Sequence, residues 1–361
     1  MKLPKLSSRH CALAPVVLLA AVLSAPAVAD TIYFADLFFP TFEDGSIRSI
    51  THDGFDLQDV LPTGSGVRGL DVDAAAGKIY WVDVNAYAIR RANLDGTNVE
   101  DLVTTGLVFP SAIALDVPGG KFYWGDQVDE TIQRANLDGT NVEFVTSTPF
   151  HRGIAIDSAG GKVYWSTSTN VSKGDIRRCN FDGTDQEIVF SSPDTNFKPA
   201  DIALDLAAGK VYWSDYVARA VRRGDINGSS YDNLFSLFGY APRGIALDLA
   251  RGQLYIGQDY GDEPTTGRIY RIPLDGTFSE LIAWDLGLVN DMVLLPDAPP
   301  PACTGDLNGD YLVDLQDLAA LLGHYGTPSG ASPGDGDLDA DGDVDLQDLA
   351  SMLANFGTIC P

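Results

Sequence analysis

Lys78-Ile79-Tyr80-Trp81-Val82-Asp83 decides how this chain folds, because versions of it return five more times. They read Ile32-Tyr33-Phe34-Ala35-Asp36, Phe122-Tyr123-Trp124-Gly125-Asp126, Val163-Tyr164-Trp165-Ser166-Thr167, Val211-Tyr212-Trp213-Ser214-Asp215 and Leu254-Tyr255-Ile256-Gly257-Gln258. Successive tyrosines stand 47, 43, 41, 48 and 43 residues apart. A near-fixed period of that size marks a repeat architecture, in which each unit is one supersecondary element.

Around each copy the same signals recur in the same order. Arg68-Gly69-Leu70-Asp71-Val72-Asp73 reads as a short apolar strand and Ala75-Ala76-Gly77 as a turn. Lys78 to Asp83 is a second strand, Ala88 to Asn93 a third, and Val99 to Val103 a fourth, reached through Leu94-Asp95-Gly96-Thr97. The Asp-Gly pair returns at Asp53-Gly54, Asp138-Gly139, Asp182-Gly183 and Asp275-Gly276, with Asn227-Gly228 in the fifth unit. Such pairs between apolar runs are strong hairpin signals. Four antiparallel strands per unit, six times over, predict an all-β, six-bladed β-propeller. On a strand, Tyr80 and Trp81 point to opposite faces, which suits a blade covered on both sides. The first copy has no innermost strand ahead of it. Asn290-Asp291-Met292-Val293-Leu294-Leu295 matches Arg243-Gly244-Ile245-Ala246-Leu247-Asp248, so the late strand is expected to complete the first blade and leave no open edge.

These residues resemble the YWTD, or low-density-lipoprotein-receptor class B, repeats over about residues 31–297. The resemblance implies a six-bladed propeller that works as a binding or packing module. Phe34, Ile256, Thr167 and Gln258 depart from the pattern.

Residues 1–29 read as a signal peptide: Lys2, Lys5 and Arg9, an apolar run from Ala12 to Leu23, and the small residues Ala27-Val28-Ala29 before a cleavage point. Cleavage after Ala29 predicts a secreted, extracellular or cell-surface protein with no membrane span. It leaves 21 Lys and Arg against 50 Asp and Glu, a net charge of −29. That charge repels phosphates and anionic lipid, so nucleic acid is not a partner. The propeller is assigned 30–297, a Pro-rich linker 298–302, and a small α-helical module 303–361. Cys303 and Cys360 bracket that module and are disulfide candidates in an exported chain. Cys179 aligns with Ala92 and Ala135, so it is expected to be a buried, inert thiol.

From Ala298 onward there are eleven aspartates and no Lys, Arg or Glu. Asp306, Asn308, Asp310, Asp314 and Asp317 fall at positions 1, 3, 5, 9 and 12 of a loop. Asp337, Asp339, Asp341, Asp345 and Asp348 repeat the spacing, with Leu312 and Asp343 offering backbone carbonyls at position 7. This is the EF-hand plan, so two Ca²⁺ ions are predicted. Val313 and Val344 are placed to pin the loops together. Each loop runs into a helix: Leu318, Leu321, Leu322 and Tyr325, then Leu349, Met352, Leu353 and Phe356, share a helical spacing. Gly326 and Gly357 are the stops. The duplicated loop-helix unit resembles a type I dockerin, which implies docking to a cohesin-like protein. Tyr311 at position 6, and Leu315-Gln316 and Leu346-Gln347 in the pairs that read the partner, depart from that family.

Enzyme signals are poor. Gly330-Ala331-Ser332-Pro333-Gly334 matches a hydrolase elbow but lies between two loops rather than between strand and helix. His52, His151 and His324 have no metal-ligand spacing. At the start of the innermost strands, equivalent positions carry Arg68, Ser111, Arg152, Ala200, Arg243 and Asn290, with Phe109, Phe150, Phe197 and Tyr240 just before. Arg68, Arg152, Arg243, Phe109, Phe150 and Tyr240 are therefore the candidate ligand residues at one channel mouth, for a protein or glycan. The structural alternative is that each arginine pairs with an aspartate of a neighbouring blade. The reading favours a non-enzymatic binding or scaffold protein. Its rival is a secreted hydrolase or lactonase tethered to a carbohydrate-degrading assembly.

Overall fold

The computed structural model describes residues 31–38, 44–149, 151–168, 174–193, 196–237, 239, 241–259, 267–295, 305, 307, 313, 315–331, 335–339 and 341–356. The signal peptide, Cys303, Cys360, Phe150, Tyr240, Ser332, Gly357 and the first-loop residues Asp306, Asn308, Asp310, Leu312 and Asp314 lie outside the described residues. Among the described residues no helix is long and apolar enough to cross a membrane.

Six four-stranded antiparallel sheets follow one another along the chain. In blade two the innermost strand Val67–Asp73 pairs with Lys78–Asp83, then Ala88–Asn93, then Glu100–Val103 at the rim. Blades three to six repeat this order from innermost strands Pro110–Asp116, His151–Asp157, Pro199–Asp205 and Ala241–Asp248. Blade one is built from both ends of the region. Thr31–Phe38, Asp44–Thr51 and Gln58–Ser65 supply its outer three strands, and Leu288–Leu295 its innermost. Ile32 stands opposite Leu294 and Phe34 opposite Met292, so the late strand completes the first blade as its pattern requires. Innermost strands pack on their neighbours all the way round, including Leu288–Leu295 on both Ala241–Asp248 and Val67–Asp73.

The core lies between blades. Tyr80 packs forward with Phe122 and Trp124 of blade three, while Trp81 packs backward with Tyr33 and Ile47 of blade one. Tyr123 meets Trp165, Tyr164 meets Trp213, Tyr212 meets Ile256, and Tyr255 meets Phe34. Each sandwich thus takes the tyrosine of one blade and the following residue of the next. All four of Trp81, Trp124, Trp165 and Trp213 are almost wholly buried. A ring of that size removes about 150–250 Å² from water, roughly 4–6 kcal/mol before entropy is subtracted.

The Asp-Gly turns fall where the sequence places them, between the third and fourth strands. Six residues, 94–99, join the third and fourth strands of blade two. Asp95 Oδ1 accepts from Thr97 N at 2.9 Å and from its hydroxyl at 2.6 Å, an Asx-type turn. Gly96 adopts φ 79°, and a Cβ there would lie 2.0 Å from the Val60 carbonyl oxygen. The longer turn therefore docks on the rim strand of the preceding blade, which a tight hairpin would not reach. A second link runs forward: the third-strand Arg91 Nη1 donates to Leu137 O of the next blade at 3.0 Å, and Arg134, Arg178 and Arg223 repeat the bond to Phe181, Ile226 and Leu274.

In the C-terminal module, helices Leu315–His324 and Leu346–Asn355 pack on each other around Val313, Leu321, Val344 and Met352. The valines pin the loops as expected. The helix stripes do not pack as whole units, however. Leu318, Leu321, Leu349 and Met352 face the small core, whereas Leu322, Tyr325, Leu353 and Phe356 are exposed. Two ten-residue helices cannot bury a full stripe each against one another. Asp345 caps the second helix by accepting from Gln347 N, and Asp348 returns the bond to Asp345 N; Gly326 follows the first helix at φ 87°.

Trp124→Ala is expected to cost about 3–5 kcal/mol, the range for deleting a buried aromatic. Tyr87→Ala, at a 52% exposed loop residue, should stay within about 0.5 kcal/mol. Urea denaturation of both variants measures the contrast.

Candidate functional site

The mouth of the channel is built by the first residues of the innermost strands. Arg68, Arg152 and Arg243 begin these strands in blades two, four and six, and line one small cavity with Ser111, Asn290 and Asp201. Each guanidinium rests on an aromatic ring. Arg68 lies 4.7 Å from the Phe109 centroid, and Arg152 and Arg243 lie 5.0 and 5.3 Å from that of Tyr216. Arg152 Nε also donates to Ser168 Oγ at 2.8 Å. Burial lowers the pKa of Arg68 first, and the charges of Arg152 and Arg243 lower it further, so the three cations feel one another. Among the described residues, neither Arg68 nor Arg152 makes an ion pair. Each of these two has an aromatic face beside it, Phe109 for Arg68 and Tyr216 for Arg152. Phe197, expected near the mouth, is instead fully buried between blades four and five against Trp213. Tyr216, from the loop after the second strand of blade five, takes the role that sequence reading gave to aromatics preceding the strands.

Below the arginines lie three carboxyl groups that the sequence reading did not single out. Asp201 Oδ2 accepts from Ile245 N and Oδ1 from Ile202 N, both at 2.8 Å. Asp291 accepts in the same way from Leu70 N and Met292 N, and Asp71 from Leu115 N and Val72 N. The Asp201 side chain also hydrogen-bonds that of Asp291. Burial pushes Asp71 up to about 6 and Asp201 up to about 7. Asp291 is raised well above the usual carboxylate range by burial and then by the charge of Asp201. A cavity of about 270 Å³, walled by Leu70, Ile113, Ile154 and Ile245, continues down the channel past Asp71. One signal was available. At these positions sister repeats carry Gly or Ala, as at Gly69, Gly153 and Gly244 or Ala114, Ala155 and Ala246.

The second candidate site is the acidic loop from Asp337 to Asp348. Carboxylate oxygens of Asp337, Asp339 and Asp341 lie within 4.8 Å of one another, as do those of Asp343, Asp345 and Asp348. Asp348 is fully buried and accepts from Leu338 N, Asp339 N and Asp345 N. Asp317 matches it in the first loop, fully buried and accepting from Leu307 N at 2.8 Å. The buried Oδ1 atoms of Asp337 and Asp343 have no hydrogen-bond partner among the described residues. Burial and then the charges of Asp341, Asp345, Asp348 and Asp339 raise Asp343. Buried anionic oxygens without donors fit a cation. Gln347, in the pair expected to read a partner, donates from Nε2 to Asp339 Oδ2 at 2.9 Å on the surface, and Leu346 is exposed.

Two buried groups elsewhere are structural. Cys179 is fully buried, with its thiol pushed up to about 11 by burial, as its alignment with alanines predicts. His151 is buried against Gly125, where a Cβ would lie 1.8 Å from its Nε2, and burial lowers it to about 4. Its contribution is present above its unfolded value near 6.5 and is lost as pH falls toward 4, roughly 3 kcal/mol in all. The channel aspartates act oppositely: their contribution is present in acid and is lost as pH rises through about 6 and 7. Urea denaturation at pH 7 and 4.5 should show a smaller acid loss for His151→Gln than for wild type. Carboxyl ¹³C titration should place channel aspartates two or more units above solvent-exposed ones.

The description "Low-density lipoprotein receptor repeat class B" matches residues 77–117 and 209–249. Human low-density lipoprotein receptor-related protein 4 is 41% identical over 75 residues, covering 20% of this chain and 4% of that receptor. Human low-density lipoprotein receptor-related protein 5 is 37% identical over 73 residues, 19% of this chain and 4% of the receptor. Mouse nidogen-2 is 41% identical over 54 residues, 15% of this chain and 4% of its own length. The matches thus span only a small part of these relatives. Among solved structures, a chain of a nidogen/laminin complex superposes with a TM-score of 0.64 at 20% identity, covering 74% of this chain and 98% of that one. TolB from Acinetobacter baumannii gives 0.60 at 16% identity, over 74% and 67%. At those identities the likeness is one of fold. Matched segments, sandwiched Tyr-Trp strands and six closed sheets agree: two segments of this chain match the low-density lipoprotein receptor class B, or YWTD, repeat, and they lie within a six-bladed β-propeller.

Proposed function

We propose that this is a secreted binding or scaffold protein, with a propeller that holds a protein or glycan ligand at its arginine mouth. The observation that carries the reading is the set of three guanidiniums converging on one cavity in a chain of net charge −26. A guanidinium carries five N–H donors, so each arginine can offer donors to an acidic ligand group, which Arg grips bidentately. The tail is read as a dockerin-like module that takes two Ca²⁺ ions. Asp337, Asp339, Asp341, Asp343, Asp345 and Asp348 serve one ion, and Asp306, Asn308, Asp310, Leu312, Asp314 and Asp317 the other. The partnerless Oδ1 atoms of Asp337 and Asp343 support the described loop, and its shared spacing supports the first. In this reading Cys303 and Cys360 are bridged, and the module docks the propeller to a cohesin-like protein or a surface. The exposed pairs Leu315 and Leu346, Leu322 and Leu353, and Tyr325 and Phe356 give that docking an apolar face on each helix.

The hydrolase reading would draw on Asp71, Asp201 and Asp291 as channel ligands. Each of them accepts backbone N–H bonds from its own strand and from the next blade, a joining role that needs no reaction.

Calorimetry of the full chain with Ca²⁺ should show two binding events, one of which Asp348→Ala removes. No heat at millimolar Ca²⁺ would sink the calcium reading. Arg152→Ala should abolish capture of acidic glycans or proteins from a panel at an unchanged melting temperature. Lost stability with unaltered capture would return this arginine to the scaffold.

A further inference from the structure

The three arginines do not fall at random around the ring. They occupy alternate blades, two, four and six, and each is followed by glycine: Arg68-Gly69, Arg152-Gly153 and Arg243-Gly244. The glycines explain the alternation. A Cβ on Gly69 would lie 2.8 Å from Ala112 Cα, one on Gly153 2.8 Å from Ala200 O, and one on Gly244 2.8 Å from Asp291 Cα. At each of these three joints the innermost strand closes tightly on its neighbour. Blades one, three and five carry the short residues Asn290, Ser111 and Ala200 at the arginine position, which leaves the axis open to the longer side chains. The result is a three-fold arrangement of guanidiniums laid on a six-fold scaffold.

We infer that the mouth is a site for one tetrahedral oxyanion, a sulfate or phosphate group, held on the channel axis by Arg68, Arg152 and Arg243 together. This rests on the arginine mouth proposed above and narrows its ligand. A planar carboxylate has two oxygens and satisfies one guanidinium fork, or two at most. A tetrahedral group directed along the axis offers three equivalent oxygens, one to each arginine, with its ester oxygen or fourth oxygen pointing out of the mouth. The room fits a small group: the cavity measures about 40 Å³, where one water needs about 10–15 Å³. The buried Nε of Arg68 has no acceptor among the described residues.

The floor of the site must not repel an anion. It is formed by Asp201 and Asp291, hydrogen-bonded to each other and faced by Arg68 and Asp71 of blade two, Arg152 of blade four and Arg243 of blade six. A hydrogen bond between two carboxyl groups holds a proton between them, so three cations face one anionic charge from the pair. Oxyanion binding then strengthens as the pair takes up its second proton.

The test is calorimetry of the full chain with sodium sulfate, inorganic phosphate, glucose 6-sulfate and sodium glucuronate at pH 6 and 8. Sulfate and the sugar sulfate should bind more tightly than glucuronate by tenfold or more, and more tightly at pH 6 than at 8. Arg68→Gln, Arg152→Gln and Arg243→Gln should each weaken sulfate about tenfold or more, and the matching lysine variants less, with melting temperatures showing that every variant is folded. A preference for the sugar sulfate over free sulfate and phosphate identifies a sulfated glycan as the source, and the reverse a free anion. Glucuronate binding as tightly as sulfate overturns the oxyanion assignment while leaving the arginine mouth intact. No binding of any probe overturns both. A single arginine carrying the whole effect overturns the three-fold site.

Discussion

The structure depends on a constraint that no single blade meets. Each second strand carries large side chains on both faces, so a blade alone would leave half of its apolar surface in water. Tyr80 and Trp81 belong to different sandwiches, one shared with blade three and one with blade one. Burial is therefore complete only when every blade has two neighbours, which requires a ring. Pairing of Thr31–Phe38 with Leu288–Leu295 supplies the last neighbour and removes the two edges a row of blades would present. The rim links reinforce the same joints with polar bonds, each from a third-strand arginine to the next blade's turn carbonyl.

Closure also dictates what the channel contains. Six innermost strands crowd one axis, and backbone N–H groups there have no further strand to donate to. Asp71, Asp201 and Asp291 accept from such groups on their own strand and on the adjacent one, so they staple neighbouring blades at the axis. Burial that raises their pKa values and hydrogen bonds that lower them act on the same oxygens, and burial prevails. The channel is thus joined by carboxyl groups that hold their protons more tightly than exposed ones, beneath a mouth lined by cations.

The fold was legible because its cause is periodic. Tyrosines 41–48 residues apart, a two-faced strand and a stray copy of the innermost-strand pattern at residue 290 lead to six blades and to the way they close. The Asp-Gly turns were legible in place, but not their docking on the preceding blade: Gly96 is fixed by Val60, thirty-six residues earlier. Arg68, Arg152 and Arg243 were legible as a set since they share one repeat position. Tyr216 was not, because its equivalents Val84, Gln127 and Ser168 are not aromatic and so set up no pattern, and Phe197 was misplaced because proximity in sequence to a mouth residue does not fix on which side of a strand a ring packs. Helix spacing in the tail correctly gave two helices. It overstated their core, since a period of 3.6 residues marks a face without saying whether a neighbour is large enough to cover it.

In a repeat fold, residues that serve the scaffold recur in every unit and residues that serve a ligand break the pattern. A break with its own regularity is the more informative kind. At the start of the innermost strand, Arg-Gly stands at 68, 152 and 243, in every second blade, and the blades between carry Ser111-Ala112, Ala200-Asp201 and Asn290-Asp291 there. Scaffold demands alone do not require this, since Ala112 fills the glycine position in blade three and Asp201 and Asp291 fill it in blades five and one. Two-blade alternation means that the close joints, the long cations and the short spacers are placed together. Close packing at three joints draws the strands in, short residues at the other three leave space, and aromatic supports fix the guanidiniums over it. A three-fold cationic mouth follows from the way this particular ring is closed, which ties the binding chemistry to the same blade-to-blade contacts that hold the propeller together.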